Sequence, residues 1–304
     1  MRILITGASG LLGLNLALEA AKQHLVYGTV NSQQLQTQAF KVVRSDLLAP
    51  GAVENLLEAT QPNWVIHCAA LANLDACEAN PALAEKLNTW LPGKMAQYVA
   101  RGGARLVHIS TDAVFDGLRG HYIETDLPNP QSTYARTKLL GEQAVVETNP
   151  DAIIVRTNLY GWSLTGKRSL AEFFFYKLTA KRSVPGFTDV FFCPLLVNQL
   201  AHILLRMLEK NLSGLYHVVC SQSTSKYEFG VMLARKFGLD NSLITPSSIN
   251  RAGLKAARSP HLTLQVDKVT QALGESMPDL SSGLEHFYKL YQLNYPAYLR
   301  ELAK

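Results

Sequence analysis

The stretch Arg2-Ile3-Leu4-Ile5-Thr6-Gly7-Ala8-Ser9-Gly10-Leu11-Leu12-Gly13 decides the fold, with Leu14, Leu16, Leu18 and Ala21 following at helical spacing. It reads as a strand, a tight glycine turn and a helix. Gly7 permits the turn, Gly10 lets backbone approach a pyrophosphate, and Gly13 allows the helix to pack closely on the strand. The helix start then offers free amides to phosphate oxygens. Gly7, Gly10, Leu11, Leu12 and Gly13 are therefore candidate cofactor-binding residues. A plain strand-to-helix turn is the competing reading, and the first-strand position with its apolar flanks favours the dinucleotide.

Working outward, short apolar runs alternate with helical patterns through the first half, the pattern of a parallel sheet wrapped by helices. Strands are expected at 2–6, 25–30, 41–44, 64–68, 105–109 and 152–157, with helices starting near Gly10, Gly51, Pro81 and Ser132 and a polar loop over 30–40. Past residue 157 the alternation weakens to helices at 170–181, 194–208 and 226–237 and a strand at 214–219. The expected fold is α/β: a Rossmann-like, doubly wound parallel sheet over 1–157, with a smaller α/β substrate lobe over 158–304, interleaved with the first domain or separate from it. Such sheets bind ligands at the carboxyl ends of their strands.

The 304 residues can bury a large core, and 47% hydrophobic with 17% charged residues describes an ordinary soluble protein. Against 24 acidic residues stand 29 Lys and Arg, a net charge of +5 that suits anionic small ligands. These bases are scattered, so nucleic acid is not an expected partner. Cys68, Cys77, Cys193 and Cys220 form no CxxC pair and read as reduced thiols; the eight histidines show no ligand spacing, so no metal site is expected. His67, within an apolar strand, reads as a core histidine. No apolar run approaches the roughly 18 residues of a membrane helix, and 3–5 is far too short for a signal segment. A soluble, cytoplasmic protein is expected.

The chemistry lies farther along. The strand at 105–109 ends in Ser110-Thr111-Asp112, and Tyr134 and Lys138 share a face of the next helix, one turn apart. A free phenol has a pKa of about 10 and needs an adjacent cation to serve as an acid-base group near neutrality. Lys138 offers that cation and a bond to the nicotinamide ribose, while Thr111 holds a substrate carbonyl and Tyr134 donates its proton. Tyr-x-x-x-Lys by itself is an ordinary helix-surface spacing; joined to the glycine loop and Thr111 it reads as catalytic. Ile109, Ala69 and Ala70 sit at strand ends beside the expected cofactor. The acidic residue that would grip an adenosine ribose is missing from Thr29-Val30-Asn31-Ser32, and no arginine replaces it nearby. The missing carboxylate removes repulsion toward a 2′-phosphate, while Asn31 and Ser32 can bond either ribose form, so NADP is favoured over NAD. Asp46 and Leu47 are candidates for the adenine, with a helix cap the competing reading of Asp46.

These residues carry a resemblance. The glycine loop, Ser110-Thr111-Asp112-Ala113-Val114-Phe115-Asp116-Gly117 and Tyr134-x-x-x-Lys138 resemble the extended short-chain dehydrogenase/reductases, and more closely the dTDP-4-dehydrorhamnose reductase group. Leu139-Leu140-Gly141-Glu142, Arg156-Thr157, Gly214-Leu215-Tyr216-His217 and Tyr227-Glu228-Phe229 extend it over nearly the whole chain. The resemblance implies reduction of a 4-keto sugar on a nucleoside diphosphate, with Thr111, Asp112, Asn158 and Arg258 at the substrate and Asn88 steadying the catalytic region. Ala113 stands where the reductases carry tyrosine, which leaves the sugar open. The related 4,6-dehydratases place Asp-Glu after the threonine, so Asp112-Ala113 disfavours dehydration. The segment 156–161 lacks the group's tryptophan, for which Trp162 is either a substitute or a structural residue. Of the cations Lys167, Arg168, Lys181, Arg182, Arg251, Lys255 and Arg258, the last is the choice for a pyrophosphate. The expected partner is a nucleoside diphosphate sugar, and a homodimer is an open option. Two alternatives stand beside the reductase: a catalytically silent NADP-binding subunit similar to the methionine adenosyltransferase beta subunit, and a sugar-nucleotide epimerase.

Overall fold

The computed structural model describes residues 1–251 and 259–303. Its centre is a seven-stranded parallel sheet built from β1 (Arg2–Thr6), β2 (Leu25–Val30), β3 (Lys41–Arg44), β4 (Trp64–His67), β5 (Arg105–Thr111), β6 (Ile153–Thr157) and the strand Gly214–His217. The spatial order runs Gly214–His217, β6, β5, β4, β1, β2, β3. The order therefore reverses between β1 and β4, the switch point at which doubly wound sheets take their ligand.

Strands buried on both faces explain the apolar runs. Ile3 and Ile5 of β1, with Ile66, Val107, Ile153 and Val155, pack into one layer together with helix Leu11–Ala20. Leu4, Val65, Leu106 and Ile154 face the other way, onto Leu56, Leu91, Met95 and Val145. The two-residue alternation of a strand thus sorts each run between two cores.

Three features differ from the sequence expectation. The strand at 214 joins the main sheet beside β6 instead of staying in a separate lobe, and helix Val197–Glu209 belongs to the same core layer as Leu11–Ala20. The second half is therefore interleaved with the first. The helix expected from Pro81 runs to Arg101 but contains a π-helical turn at Lys86–Trp90, and a separate short helix, Leu74–Ala79, precedes it. Short strands at Val184–Phe187, Phe191–Phe192 and Leu195–Leu196 were too brief for any periodicity to reveal. Among the described residues no helix is long and apolar enough to cross a membrane.

Candidate active site

At the switch point the turns after β1 and β4 touch. Thr6 Oγ1 accepts from the amides of Cys68 and Ala69, each at 3.1 Å. Gly7 takes φ +68°, and a Cβ there would lie 2.9 Å from the Ala69 nitrogen. A Cβ on Gly13 would meet the Gly7 carbonyl at 2.2 Å, so only glycine lets the helix start this close to the strand. Gly10 caps helix Leu11–Ala20 with no side-chain hydrogen bond, and its first turn holds no acidic residue. Free first-turn amides without a competing carboxylate fit the diphosphate of a dinucleotide.

A cavity of about 790 Å3 opens from this loop and brings Gly10, Leu11, Leu12, Gly13 and Ala70 together with Ile109, Thr111, Asp112, Tyr134, Lys138 and Asn158. A second cavity of about 730 Å3, at the opposite end of the sheet beside Arg2 and Trp64, holds none of these groups. Gly7 and Ala69 lie just behind the first cavity as the touching turns. Asn31 and Asp46 are exposed beyond it, at the ends of β2 and β3, and Leu47 is buried beneath. Asp46 Oδ1 accepts from the Leu48 amide at 3.1 Å, so Asp46 closes a turn and does not cap the next helix, Ala52–Thr60, whose N-cap is Gly51. Arg258 and Lys255 lie outside the described residues.

Alternation along β5 divides the strand end. Ser110 reaches the cavity wall but its hydroxyl donates to the Glu142 carboxylate, which is also paired with Arg156 at 2.7 Å. Thr111 faces the cavity, donating to Asp112 Oδ1 at 3.1 Å and accepting from the Ala113 amide at 3.2 Å. Its side chain also hydrogen-bonds the Tyr134 phenol. Asp112 Oδ2 accepts from Asn158 Nδ2 at 2.6 Å. Burial pushes the Asp112 carboxyl up to about 6, against the hydrogen bonds from Asn158 and Thr111.

Tyr134 and Lys138 come to the same cavity, as the helical spacing required, but their electrostatics differ from expectation. Burial pushes the phenol up to about 12, with the Thr111 hydrogen bond pulling the other way. The Lys138 ammonium is directed to the strand, donating to the Ile109 carbonyl at 2.7 Å and lying 3.3 Å from His108 Nε2. Desolvation dominates at Tyr134, and the phenol is held protonated, the state a proton donor requires. Burial also lowers Lys138 to about 8, against the attraction of Glu142.

Sequence reasoning missed what lies behind Lys138. His108 is fully buried and its rings stack against His67, 5.7 Å between centroids. His67 Nδ1 in turn meets Thr6 Oγ1 at 2.8 Å. Because that hydroxyl already accepts two amides, its proton goes to Nδ1, which makes His67 the Nε2–H tautomer. Burial, then Lys138, hold His67 down at about 3 and His108 well below its ordinary value, so both rings are neutral. Asn88, within the π-helical turn, ties Leu71 to Thr137, with Nδ2 donating to Thr137 Oγ1 and the Leu71 carbonyl at 3.1 Å each and Oδ1 accepting from the Leu71 amide at 2.9 Å. It thus braces the helix between Tyr134 and Lys138. Trp162 is fully buried, its ring 4.1 Å from Phe287 and its Nε1–H bonded to the Phe287 carbonyl at 3.1 Å. It is a structural residue and offers no surface to a ligand.

A doubly wound sheet, a glycine turn at its switch point and a Thr/Tyr/Lys cavity beside that turn define the class of nicotinamide-dependent oxidoreductases called extended short-chain dehydrogenase/reductases. Residues 1–293 match the RmlD substrate binding domain, and the chain belongs to that family. It is 33% identical over 290 residues to the probable low-salt glycan biosynthesis reductase Agl14 of Haloferax volcanii, covering 93% of this chain and 96% of that one. It is 32% identical over 287 residues to methionine adenosyltransferase 2 subunit beta of Mus musculus, covering 91% and 84%. The dTDP-4-dehydrorhamnose reductase of Bacillus anthracis, solved in complex with NADP, superposes with a TM-score of 0.81 at 27% identity, covering 95% of this chain and 98% of that one.

Proposed function

We propose that the protein uses NADPH to reduce the 4-keto group of a nucleoside diphosphate 4-keto-6-deoxy sugar. The observation that carries this reading is the convergence of Thr111, Tyr134 and Lys138 in the one cavity that the glycine turn also lines. The glycine turn at Gly7, Gly10 and Gly13 would hold a nicotinamide dinucleotide, which when bound would supply the hydride for the carbonyl carbon. Tyr134, hydrogen-bonded to Thr111 and held protonated, gives its proton to the carbonyl oxygen as charge develops there, and Thr111 positions that oxygen. Lys138 carries positive charge below about pH 8 and steadies the phenolate that remains. Asp112 and Asn158, bonded to each other on the cavity wall, orient the sugar hydroxyls.

Preference for NADP is supported by the end of the second strand. The end of β2 itself carries no carboxylate, Asp46 beyond β3 being turned to the Leu48 amide, and an arginine that was distant in sequence is adjacent in space. Arg44 pairs with Val30 across the ladder, and the Ser45 amide bonds the Val30 carbonyl at 2.9 Å. Arg44 is exposed beside Asn31, where a 2′-phosphate attracts a guanidinium.

The test follows NADPH absorbance against a panel of nucleoside diphosphate 4-keto sugars. Tyr134→Phe is expected to lose about 100- to 10,000-fold in kcat while folding normally; full turnover by this variant would sink the mechanism. Similarity to methionine adenosyltransferase 2 subunit beta favours a second reading, a cofactor-binding subunit without turnover. It predicts NADP binding with no NADPH oxidation by any member of the panel. An epimerase would interconvert sugars with no net NADPH consumption.

A further inference from the structure

Four charged side chains line the cavity: Asp112, Lys138, Lys167 and Arg168. Asp112 is taken up by Asn158 and Thr111, and Lys138 by Ile109 and His108. The side chains of Lys167 and Arg168 are exposed and bond no described residue. The loop that carries them is held by a dense set of hydrogen bonds.

That loop, 163–169, wraps around the carboxylate of Glu172, which is fully buried. Glu172 accepts from the Ser163 amide at 2.7 Å, from Ser163 Oγ at 2.9 and 2.8 Å, and from the Arg168 amide at 2.9 Å. Ser163 Oγ accepts in turn from the Gly166 amide at 3.1 Å, and Ser169 Oγ donates to the Gly161 carbonyl at 2.8 Å. The adjoining Trp162 carbonyl accepts from Asn15 of the glycine-loop helix at 3.0 Å, which fixes the loop relative to the dinucleotide turn. Glu172 spends its charge on backbone amides and a hydroxyl, so the acid that organises the loop leaves the Lys167 and Arg168 side chains without a counter-ion.

We infer that Lys167 and Arg168 form a clamp for a diphosphate, facing the glycine turn across the cavity. A diphosphate is a dense anion with several strong acceptors, and a guanidinium beside an ammonium matches it by charge-assisted hydrogen bonds. Both the dinucleotide and a sugar nucleotide carry this group. The clamp rests on the functional reading above, and its test is therefore made on binding alone.

The Lys167→Ala/Arg168→Ala double variant is titrated by calorimetry with NADP+ and, separately, with dTDP. The clamp predicts about 10- to 100-fold weaker binding of at least one, a shallower salt dependence, and an unchanged melting temperature. Weakening of NADP+ alone assigns the clamp to the dinucleotide; weakening of dTDP alone assigns it to the sugar nucleotide. Both affinities within about twofold of the parent overturn the inference. A parent protein that binds both diphosphates but oxidises no NADPH would instead sink the reductase reading and leave the clamp standing.

Discussion

Lys138 is buried, 3% exposed, and its ammonium holds the Ile109 carbonyl at 2.7 Å. Burial lowers its pKa to about 8, from about 10.4 in an unfolded chain. Activity and stability should therefore move in opposite directions above pH 8. The ammonium that shares the cavity with Tyr134 is lost as pH rises, so on the proposed mechanism kcat/KM is expected to fall about tenfold per unit above pH 8. Between about pH 8 and 10 the unfolded chain binds the extra proton, so unfolding is opposed increasingly as pH rises and this group's contribution to stability grows. A pH–rate profile flat to pH 9.5, or a Lys138→Met variant that keeps the same stability gain over this window, would contradict the assignment. Tyr134, Lys138 and Thr111 were legible because each is placed by a local rule: helical spacing for the pair, a strand end for the hydroxyl. His108 was not, because its meeting with Lys138 depends on how a helix lies across a strand 30 residues away in sequence.

Elements supply what single residues cannot show. The end of β2 appeared to lack any group for a 2′-phosphate, yet parallel pairing sets Arg44 of β3 opposite Val30. Replacing Arg44 by Gln should reduce the ratio of NADP to NAD affinity about 10- to 100-fold, with NAD binding little changed, as measured by fluorescence titration with each dinucleotide. An unaltered ratio would remove Arg44 from cofactor selection. The polar chain between β2 and β3 forms no helix, and parallel pairing sets the two strand ends side by side at the edge of the sheet. Register of this kind is set by pairing partners and hydrogen bonds across the ladder, which one-dimensional periodicity does not contain.

Across the whole molecule, the Trp162 ring centres the aromatic core of the second half, and its backbone ties that half to the first. Its ring stacks on Phe287 and meets Phe175 edge-on at 5.0 Å between centroids, and its carbonyl accepts from Asn15 of the glycine-loop helix. Trp162→Ala should cost about 3–5 kcal/mol of stability in urea unfolding, while leaving Thr111 and Tyr134 in place at low temperature. Loss of less than about 1 kcal/mol would mean that the ring is not what holds this aromatic core together. By itself the sequence determined the class of fold, the glycine turn and the Thr111, Tyr134 and Lys138 set, since these follow from apolar periodicity, backbone freedom and spacing within single elements. Only the tertiary structure decided that Trp162 is core, that the strand at 214 completes the main sheet, that Arg44 stands beside Val30, and that Lys167 and Arg168 reach the cavity. Those facts depend on strand order and on the path of loops between distant segments, where packing and hydrogen-bond satisfaction act on residues that the chain keeps far apart.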